Sequence, residues 1–320
     1  MRLFKKPVLC NYYVTYRCNA TCSFCDIWER PSPYVTLENA RENLTDLAKL
    51  GVKVIDFTGG EPLLHRQIVD LLGIAKSLGF ITTLTTNTLL YPKNAERLQG
   101  LVDMLHFSLD SVDRAKHNAS RGVDCFDHLQ RSITLAQELG EQPDILFTVT
   151  DENVTEIPAL YQEYVQEQKL HVILNPMFEY NSVGKNLDEA TLQSLYDWSK
   201  QPGIYLNTAF LDLRKRGGNQ INDPICKAGS TTIVISPENE LVLPCYHLGL
   251  KQVPIAGRLF ELWKSQEIQS QIAEEGRLPG CKGCVVNCYM EPSMAVETGP
   301  YFLKSAVSTL KYALEKWVYA

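Results

Sequence analysis

The stretch YRCNATCSFCDIW, residues 16–28, places three cysteines within eight positions, at Cys18, Cys22 and Cys25. Three thiolates are one ligand short of a closed tetrahedral metal site. Either a distant residue completes the shell, or the fourth ligand is not part of the protein. Spacing alone favours metal ligation and leaves both zinc and an iron–sulfur cluster open.

The chain has ten cysteines, and they cluster instead of spreading evenly. A second set lies towards the C-terminus, where Cys226, Cys245, Cys281 and Cys284 are followed by Cys288. The start of the chain, MRLFKKPVLCNYY, lacks the apolar region of a signal peptide. We therefore expect a cytoplasmic location, where such thiols stay reduced and ligate metal instead of forming disulfides.

Composition and charge exclude several classes of function. The chain is 45% hydrophobic and 21% charged, which is typical of a globular protein. Its formal net charge of -6 argues against nucleic acid as a partner, because nucleic acid requires a basic face. No window approaches the roughly 20 apolar residues of a membrane-spanning helix, so no transmembrane segment is predicted.

Between residues 8 and 176, strand-like segments alternate with helix-like segments. This rhythm predicts an α/β fold with a parallel sheet and right-handed crossovers. Six strands are fewer than the eight of a closed barrel, so we expect an open, partial (β/α)6 barrel. The predicted strands are 8–16, 52–60, 80–87, 101–110, 144–150 and 170–176, and the predicted helices are 36–51, 68–79, 95–100, 125–140 and 156–168.

Polar motifs follow the first four predicted strands, at the edge where parallel sheets bind ligands. The first cysteine set follows strand one. TGGEP (58–62) follows strand two, TTNT (85–88) follows strand three and SLDS (108–111) ends strand four. Their repetition at successive strand ends predicts one shared site, and it counts against a binding module without enzymatic activity.

In this order, the motifs resemble those of the radical S-adenosylmethionine (radical SAM) superfamily across about residues 8–180. The resemblance implies that Cys18, Cys22 and Cys25 hold a [4Fe-4S] cluster, whose fourth ligand is the amino and carboxylate groups of SAM. Phe24 occupies the position where the family motif usually carries an aromatic residue. The implied reaction is reductive cleavage of SAM to a 5′-deoxyadenosyl radical, which removes hydrogen from a substrate carbon.

The same resemblance implies which residues contact SAM. The TGGEP segment is similar to the family segment that contacts the methionine amino group, and SLDS to the segment that contacts the ribose. TTNT is similar to the family's TTNG, with Thr88 in place of the usual glycine. The expected SAM-binding residues are Phe24, Gly59, Gly60, Glu61, Asn87, Ser108, Asp110 and Arg121.

The second cysteine set resembles the auxiliary-cluster domain called SPASM in its full form and twitch in its shortened form. This resemblance divides the chain into a radical SAM barrel at residues 1–187 and a small C-terminal domain at 188–320. It implies a second [4Fe-4S] cluster on Cys226, Cys245, Cys281 and Cys284, with Cys288 as an alternative ligand or a spare thiol. A structural zinc site is the other interpretation.

The implied activity is oxidation or decarboxylation of a sugar-like or nucleoside-like small molecule, with the auxiliary cluster relaying an electron. The electron donor would be a protein such as flavodoxin or ferredoxin. One alternative is a peptide-modifying maturase, and another is an enzyme acting on a lipid or tetrapyrrole. Glu179 and Tyr180, which follow strand six, are candidates to face the substrate, without an assigned acid or base role.

Overall fold

The computed structural model describes residues 6–179 and 186–317. Six parallel strands form the centre of one sheet, and each pairs with the next along the chain. The strand Lys251–Pro254 forms one edge of the sheet and the strand Ile204–Tyr205 forms the other, so the sheet stays open. This confirms the predicted α/β partial barrel. The central strands are β1 Leu9–Thr15, β2 Val54–Gly59, β3 Ile81–Thr86, β4 Met104–Leu109, β5 Asp144–Val149 and β6 Val172–Pro176.

Helices connect these strands, and local sequence signals explain where several of them begin and end. The first helix begins after Thr36, whose hydroxyl oxygen accepts from the backbone N–H of Asn39, and stops at Gly51 in a left-handed conformation. The helices are α1 Leu37–Leu50, α2 Ile68–Ser77, α3 Tyr91–Leu98, α4 Arg114–Arg121, α5 Phe126–Glu138 and α6 Ile157–Leu160, which continues into a π-helical turn at Tyr161–Glu167.

Two helices differ from the sequence-based expectation. Helix α3 begins at Tyr91 instead of residue 95, because Pro92 fits the first helical turn, where its missing N–H costs nothing. Helix α4 was not predicted at all. Its sequence RAKHNASR carries no apolar stripe, and its buried residues are the polar His117 and Arg121. Through Arg121, this helix contributes to the candidate functional site.

The two faces of the central sheet differ in polarity. Alternate strand residues such as Ile55, Phe57 and Phe107 belong to the hydrophobic core beneath the helices. The residues between them point to the opposite, inner face, where Thr83 donates to Asp56 at 2.6 Å and Thr85 bonds His106 at 3.2 Å. The interior of the partial barrel is therefore polar.

The C-terminal part of the chain extends the same sheet. The strand Thr232–Ile235 pairs in parallel with β1 and forms an antiparallel hairpin with the strand Glu240–Leu243. The hairpin turn uses Asn239 in the left-handed conformation, which asparagine tolerates. The division into two domains at residue 187 stays a prediction. These strands are β7 Ile204–Tyr205, β8 Thr232–Ile235, β9 Glu240–Leu243 and β10 Lys251–Pro254.

The remaining helices cover the C-terminal region. Across residues 6–179 and 186–317, no helix combines the length and the apolar character needed to cross a bilayer. The helices are α7 Glu189–Trp198, α8 Thr208–Lys215, α9 Ala228–Thr231, α10 Leu259–Lys264, α11 Gln266–Ala273, α12 Asn287–Met294 and α13 Pro300–Trp317.

Helix α13 is fastened to the barrel by a buried ion pair at the N-terminal end of β5. The ammonium of Lys316 lies 2.5 Å from Oδ1 of Asp144, and the hydroxyl of Tyr312 donates to Oδ2 at 2.5 Å. All three side chains are buried. A charge pair in such surroundings holds its partners together because either ion alone would be strongly destabilising.

Replacing Lys316 by methionine should therefore lower the free energy of unfolding by ~3–5 kcal/mol, because the Asp144 carboxylate loses its cation. The matched control is Lys304→Met on the same helix. Lys304 pairs with Asp212 but is exposed, so its loss should cost less than about 1 kcal/mol. Urea unfolding monitored by tryptophan fluorescence measures both values. Equal losses in the two variants would contradict the buried-pair interpretation.

Candidate functional site

The loop that carries the first cysteine set lies at the C-terminal end of β1 and is held from two sides. On one side, the backbone N–H groups of Gly60 and Glu61 donate to the carbonyls of Thr15 and Arg17 at 2.9 and 2.8 Å. On the other side, Thr21 N donates to the carbonyl of Arg121 at 3.0 Å. The loop is thus clamped between the end of β2 and the end of α4.

The two glycines of TGGEP are required by this clamp. A Cβ on Gly59 would lie 2.0 Å from the carbonyl oxygen of Thr15, and one on Gly60 would lie 2.2 Å from that of Arg17. Gly59 also has a φ of 143°, which side chains disfavour. The close approach in this structure is therefore to the cysteine loop itself, and a contact of these glycines with SAM stays a prediction.

Glu61 ties the segments after β2 and β3 together. Its Oε1 accepts from Leu63 N at 3.0 Å and from Thr86 Oγ1 at 2.8 Å, and its Oε2 accepts from Asn87 N at 2.8 Å. Burial raises the pKa of Glu61 to about 7. A carboxylate has about four acceptor positions, so three protein donors leave room for about one further donor.

Thr88, in the segment after β3, stands where the family pattern has glycine. This residue has a φ of 68°, the left-handed conformation for which glycine is favoured. Its hydroxyl donates to the carbonyl of Asn87 at 2.7 Å. The Asn87 amide donates to Asn19 Oδ1 at 2.8 Å and lies 3.9 Å from Cys18 Sγ. Thr88 therefore adopts a backbone conformation that glycine favours, and the Asn87 side chain faces the cysteine loop.

Asp110 and Arg121 form a buried ion pair on the other side of the loop. Arg121 Nε and Nη2 lie 2.6 and 2.7 Å from the two carboxylate oxygens of Asp110. Nη1 of Arg121 is directed at Cys22 Sγ at 3.8 Å, and its guanidinium lies 5.6 Å from the ring centre of Phe24. Helix α4 brings Arg121 here, so the helix missed in the sequence positions a residue that the sequence singled out. Ser108 is buried on the inner face of β4.

The thiols of this set fit a polynuclear cation. Burial raises the pKa of Cys18 to about 11, and the nearby Glu61, Cys22 and Cys25 act in the same direction. Burial likewise raises the pKa of Cys22 and Cys25. Three such thiols cannot all ionise without a large positive charge between them. An iron–sulfur cluster supplies that charge, and Arg121 and Asn87 are directed at two of the sulfurs.

Two adjoining cavities open beside Phe24, at the C-terminal ends of β4, β5 and β6. One has a volume of 230 Å³ and the other 270 Å³. Asp110 and Asn153 line the first, and Asn153 joins the strand ends by donating to the carbonyls of Asp110 and Thr148 at 2.7 and 2.8 Å. The space next to the cysteine loop is thus polar and bounded by an aromatic ring.

The second cysteine set lines a separate cavity of 340 Å³. Cys226, Cys245, Cys281 and Cys284 all contribute to its wall, as does Glu179. Burial raises the pKa of each of the four thiols, so they would ionise together here only beside a compensating cation. Among residues 6–179 and 186–317, no three His, Cys, Asp or Glu side chains converge on a single metal ion.

Asn219 organises this second site and was not predicted. It is fully buried, and its amide nitrogen donates to the carbonyls of Gly276 and Cys281 at 2.8 and 3.1 Å. Its Oδ1 accepts from Cys226 N at 3.1 Å, and its backbone N–H donates to the carbonyl of Cys284 at 3.0 Å. One residue, through its side chain and its backbone, is therefore bonded to Cys226, Cys281 and Cys284. The only sequence signal was its place after two glycines, which reads as an ordinary loop.

Cys288 is not among the described residues that line this cavity. Its Sγ lies at the start of α12, 4.0 Å from Nε2 of His247, and its pKa is raised by desolvation and also by the nearby Cys245 and Cys284. Its role as a spare thiol or as an alternative ligand stays a prediction. Glu179 belongs to this second cavity, and Tyr180 lies outside the described residues.

We expect Cys284→Ala to lower the iron bound after anaerobic reconstitution from about eight to about four atoms per chain, and Cys288→Ala to leave it unchanged. The reason is that Cys284 lines the cavity while Cys288 does not. Elemental analysis for iron and zinc measures both outcomes. Loss of four irons in the Cys288 variant would make it a ligand, and zinc in place of the second iron set would establish the zinc alternative.

Part of this chain matches a known protein family. Residues 12–163 match the family model described as "Radical SAM superfamily". The Fe-coproporphyrin III synthase of Methanosarcina barkeri is 30% identical over 172 residues, which are 52% of this chain but only 42% of that relative. The AdoMet-dependent heme synthase of Nitratidesulfovibrio vulgaris is 24% identical over 323 residues, 88% of each chain.

A solved structure shares the fold. Streptococcus suis SuiB bound to S-adenosylmethionine superposes with a TM-score of 0.65 at 21% identity, covering 84% of this chain and 68% of that one. Identity at this level supports likeness of fold and nothing more. Together with the cysteine loop, the strand-end motifs and the matched residues, it leads to one assignment. Residues 12–163, just under half of the chain, form a domain of the radical SAM superfamily, whose members are enzymes.

Proposed function

We propose that this chain cleaves S-adenosylmethionine reductively and removes a hydrogen atom from a carbon of a polar small-molecule substrate. The observation that carries the proposal is that Cys18, Cys22 and Cys25 lie on one loop, which is clamped at the C-terminal end of β1 and whose Phe24 lines the polar cavities at the strand ends. When bound there, a [4Fe-4S] cluster supplies the electron for the cleavage.

The residues around the loop have separable roles in this proposal. Cys18, Cys22 and Cys25 ligate iron, while Arg121 and Asn87 stabilise the negative charge on sulfur through their N–H groups. Phe24 bounds the space for the adenosyl group. These roles are supported by direction and distance, since both donors point at sulfur atoms.

For SAM itself, Glu61 offers its remaining acceptor position to the methionine ammonium, and Ser108 is placed to bond the ribose. Asp110 acts mainly by holding Arg121, because both carboxylate oxygens already contact the guanidinium. Its expected direct contact with the ribose is therefore secondary to a positioning role. The glycines at 59 and 60 contribute by allowing the loop to pack closely.

For the second set, we propose a further [4Fe-4S] cluster on Cys226, Cys245, Cys281 and Cys284. The four thiols share one cavity wall, and four protein ligands leave no iron position for substrate. This favours electron relay over substrate binding. Glu179, on the same wall, is then a candidate to meet the substrate between the two sites, without an assigned proton-transfer role.

The polar interior of the barrel supports a hydrogen-bonding substrate. Asp56, Thr83, Thr85 and His106 lie on this face, where they bond one another in pairs. A sugar-like or nucleoside-like molecule matches such donors and acceptors. We therefore retain oxidation or decarboxylation of this substrate class as the primary proposal.

A tetrapyrrole is the second candidate, and the heme synthase relative favours it. That match extends over 88% of both chains, so it includes the second cysteine region as well as the barrel. The peptide alternative has a sequence relative too, the antilisterial bacteriocin subtilosin biosynthesis protein AlbA of Bacillus subtilis, which is 27% identical over 261 residues but is covered over only 55% of its length. In each case we propose a reducing compartment and a flavodoxin-like or ferredoxin-like electron donor, because the thiols must stay reduced.

One experiment separates the two candidates. Anaerobically reduced protein is incubated with SAM and with carbon-deuterated nucleosides, sugars or coproporphyrin, and deuterium in 5′-deoxyadenosine is measured by mass spectrometry. The proposal expects transfer from a nucleoside or sugar. Transfer from coproporphyrin alone would establish the second candidate. No 5′-deoxyadenosine under any condition, with iron and SAM bound, would contradict reductive cleavage itself.

A further inference from the structure

Helix α13 exposes a continuous apolar stripe. Its members recur every three or four residues, the spacing that places side chains on one face of a helix. We call this set the α13 stripe, and Ala306 extends it between its first two members. Its residues and exposed fractions are Leu303 68%, Val307 69%, Leu310 59%, Leu314 37% and Trp317 59%.

The opposite face of α13 is polar and turned towards the protein, so the helix is inverted relative to an ordinary surface helix. Ser305 Oγ accepts from the Asn207 amide at 2.9 Å, and Ser308 Oγ accepts from Thr208 N at 3.2 Å. At the far end of the helix, Lys316 makes its buried pair with Asp144. Rotating the helix to bury the stripe would break all of these bonds, so the stripe must be covered from outside.

The spacing indicates what covers it. Positions 303, 307, 310, 314 and 317 alternate steps of four and three, the 3.5-residue repeat with which helices pair in coiled coils. The lysines beside the stripe are already used within the chain. Lys304 pairs with Asp212, and Lys311 donates to the carbonyls of Ser199 and Gln201. Within residues 300–317, no lysine without a partner therefore borders the stripe to repel an identical one.

The area is sufficient for a dimer. The stripe exposes on the order of 600 Å² per chain, so two copies would bury roughly 1,200 Å², the lower end of specific interfaces. A patch of this size lies at the upper end of what monomers expose, and patches that large often have a function. A stripe that meets its own copy across a two-fold axis needs no other partner.

A membrane surface fits less well. Helices that lie on bilayers present lysine and arginine on their polar face, next to the lipid headgroups. Here the polar face is buried in the protein, and the chain carries a net charge of -6. We propose that α13 pairs with α13 of a second copy of this chain, making the protein a homodimer. This proposal does not depend on the reaction proposed above.

The test is the mass in solution of the full chain after cluster reconstitution, measured by sedimentation velocity at about 1–50 µM. We expect wild type at twice the chain mass of 36.2 kDa. Leu310→Glu should raise the dissociation constant by about 100-fold or more, because it places two carboxylates in an apolar contact. Leu250→Glu is the matched control, since Leu250 is 67% exposed but lies off the helix, and it should remain dimeric.

Leu310 is exposed in the monomer, so glutamate there meets solvent and the fold should survive, as far-ultraviolet circular dichroism would verify. Leu303→Glu, at the other end of the stripe, is a second variant with the same expectation. A monomeric wild type across the whole concentration range would overturn the proposal. So would a dimer unaffected by both variants. Flotation of monomeric wild type with phosphatidylcholine–phosphatidylglycerol vesicles, lost in Leu310→Glu, would assign the stripe to lipid instead.

Discussion

Replacing Cys18, Cys22 and Cys25 together by alanine is expected to abolish SAM cleavage and to lower bound iron from about eight to about four atoms per chain. In our proposal the three thiols, which share one loop at the end of β1, are the negative ligands of one cluster. Without them the electron for cleavage has no source. Iron analysis and 5′-deoxyadenosine formation measure the two effects separately.

The matched control is Cys125→Ala. Cys125 is buried near the same site, with its Sγ 3.3 Å from His117 Nε2, but it lies at the start of α5 and outside the cysteine loop. The Cys125→Ala variant should retain its bound iron and its SAM cleavage activity. If the triple variant still bound eight irons, or still formed 5′-deoxyadenosine, the cysteine loop would not hold the cluster that cleaves SAM. Zinc binding by the loop would then be the alternative to test.

Arg121→Met is expected to destabilise the protein by ~3–5 kcal/mol, because it leaves the buried Asp110 carboxylate without its cation. A second effect follows from position. Arg121 also directs Nη1 at Cys22 and packs over Phe24, so the variant should bind SAM more weakly and lose iron preferentially from the first set. Urea unfolding, iron content and SAM binding by equilibrium dialysis measure these effects.

Arg114→Met on the same helix is the control. Arg114 pairs with Asp127 at the surface, where an ion pair contributes less than about 1 kcal/mol. The double variant Arg121→Met with Asp110→Leu should recover part of the stability, because no buried charge is then left alone, but it should not recover SAM binding. If Arg114→Met and Arg121→Met lost equal stability, the pair would not be the clamp that we infer.

The fold could be predicted from sequence wherever local patterns were strong. Each of the six central strands was predicted to within a few residues, and the helix predicted at 36–51 is α1, because strand periodicity and helix caps are set by neighbouring residues. Helix α4 was missed, since RAKHNASR has no apolar periodicity. The pairing of β8 with β1 was also missed, because contacts so far apart in sequence leave no local pattern.

The site divides in the same way. Motif order predicted which residues would gather at the strand ends, because parallel strands bring their C-terminal ends to one edge. It could not predict that Glu61 and Asp110 would be held by protein donors, or that Asn219 would join the second set, because each of these bonds spans distant segments. The amphipathic pattern of residues 300–317 forms helix α13, yet which face of that helix points outward depends on polar partners elsewhere in the fold.

The sequence by itself therefore determined the family, the open parallel barrel and the two cysteine sets, since these depend on local spacing and on the order of motifs. The tertiary structure alone decided which cysteines share a cavity, where Arg121 points and which face of α13 meets solvent. The physical reason is that burial and hydrogen bonding between segments far apart in the chain are set by packing, and packing exists only once the chain has folded.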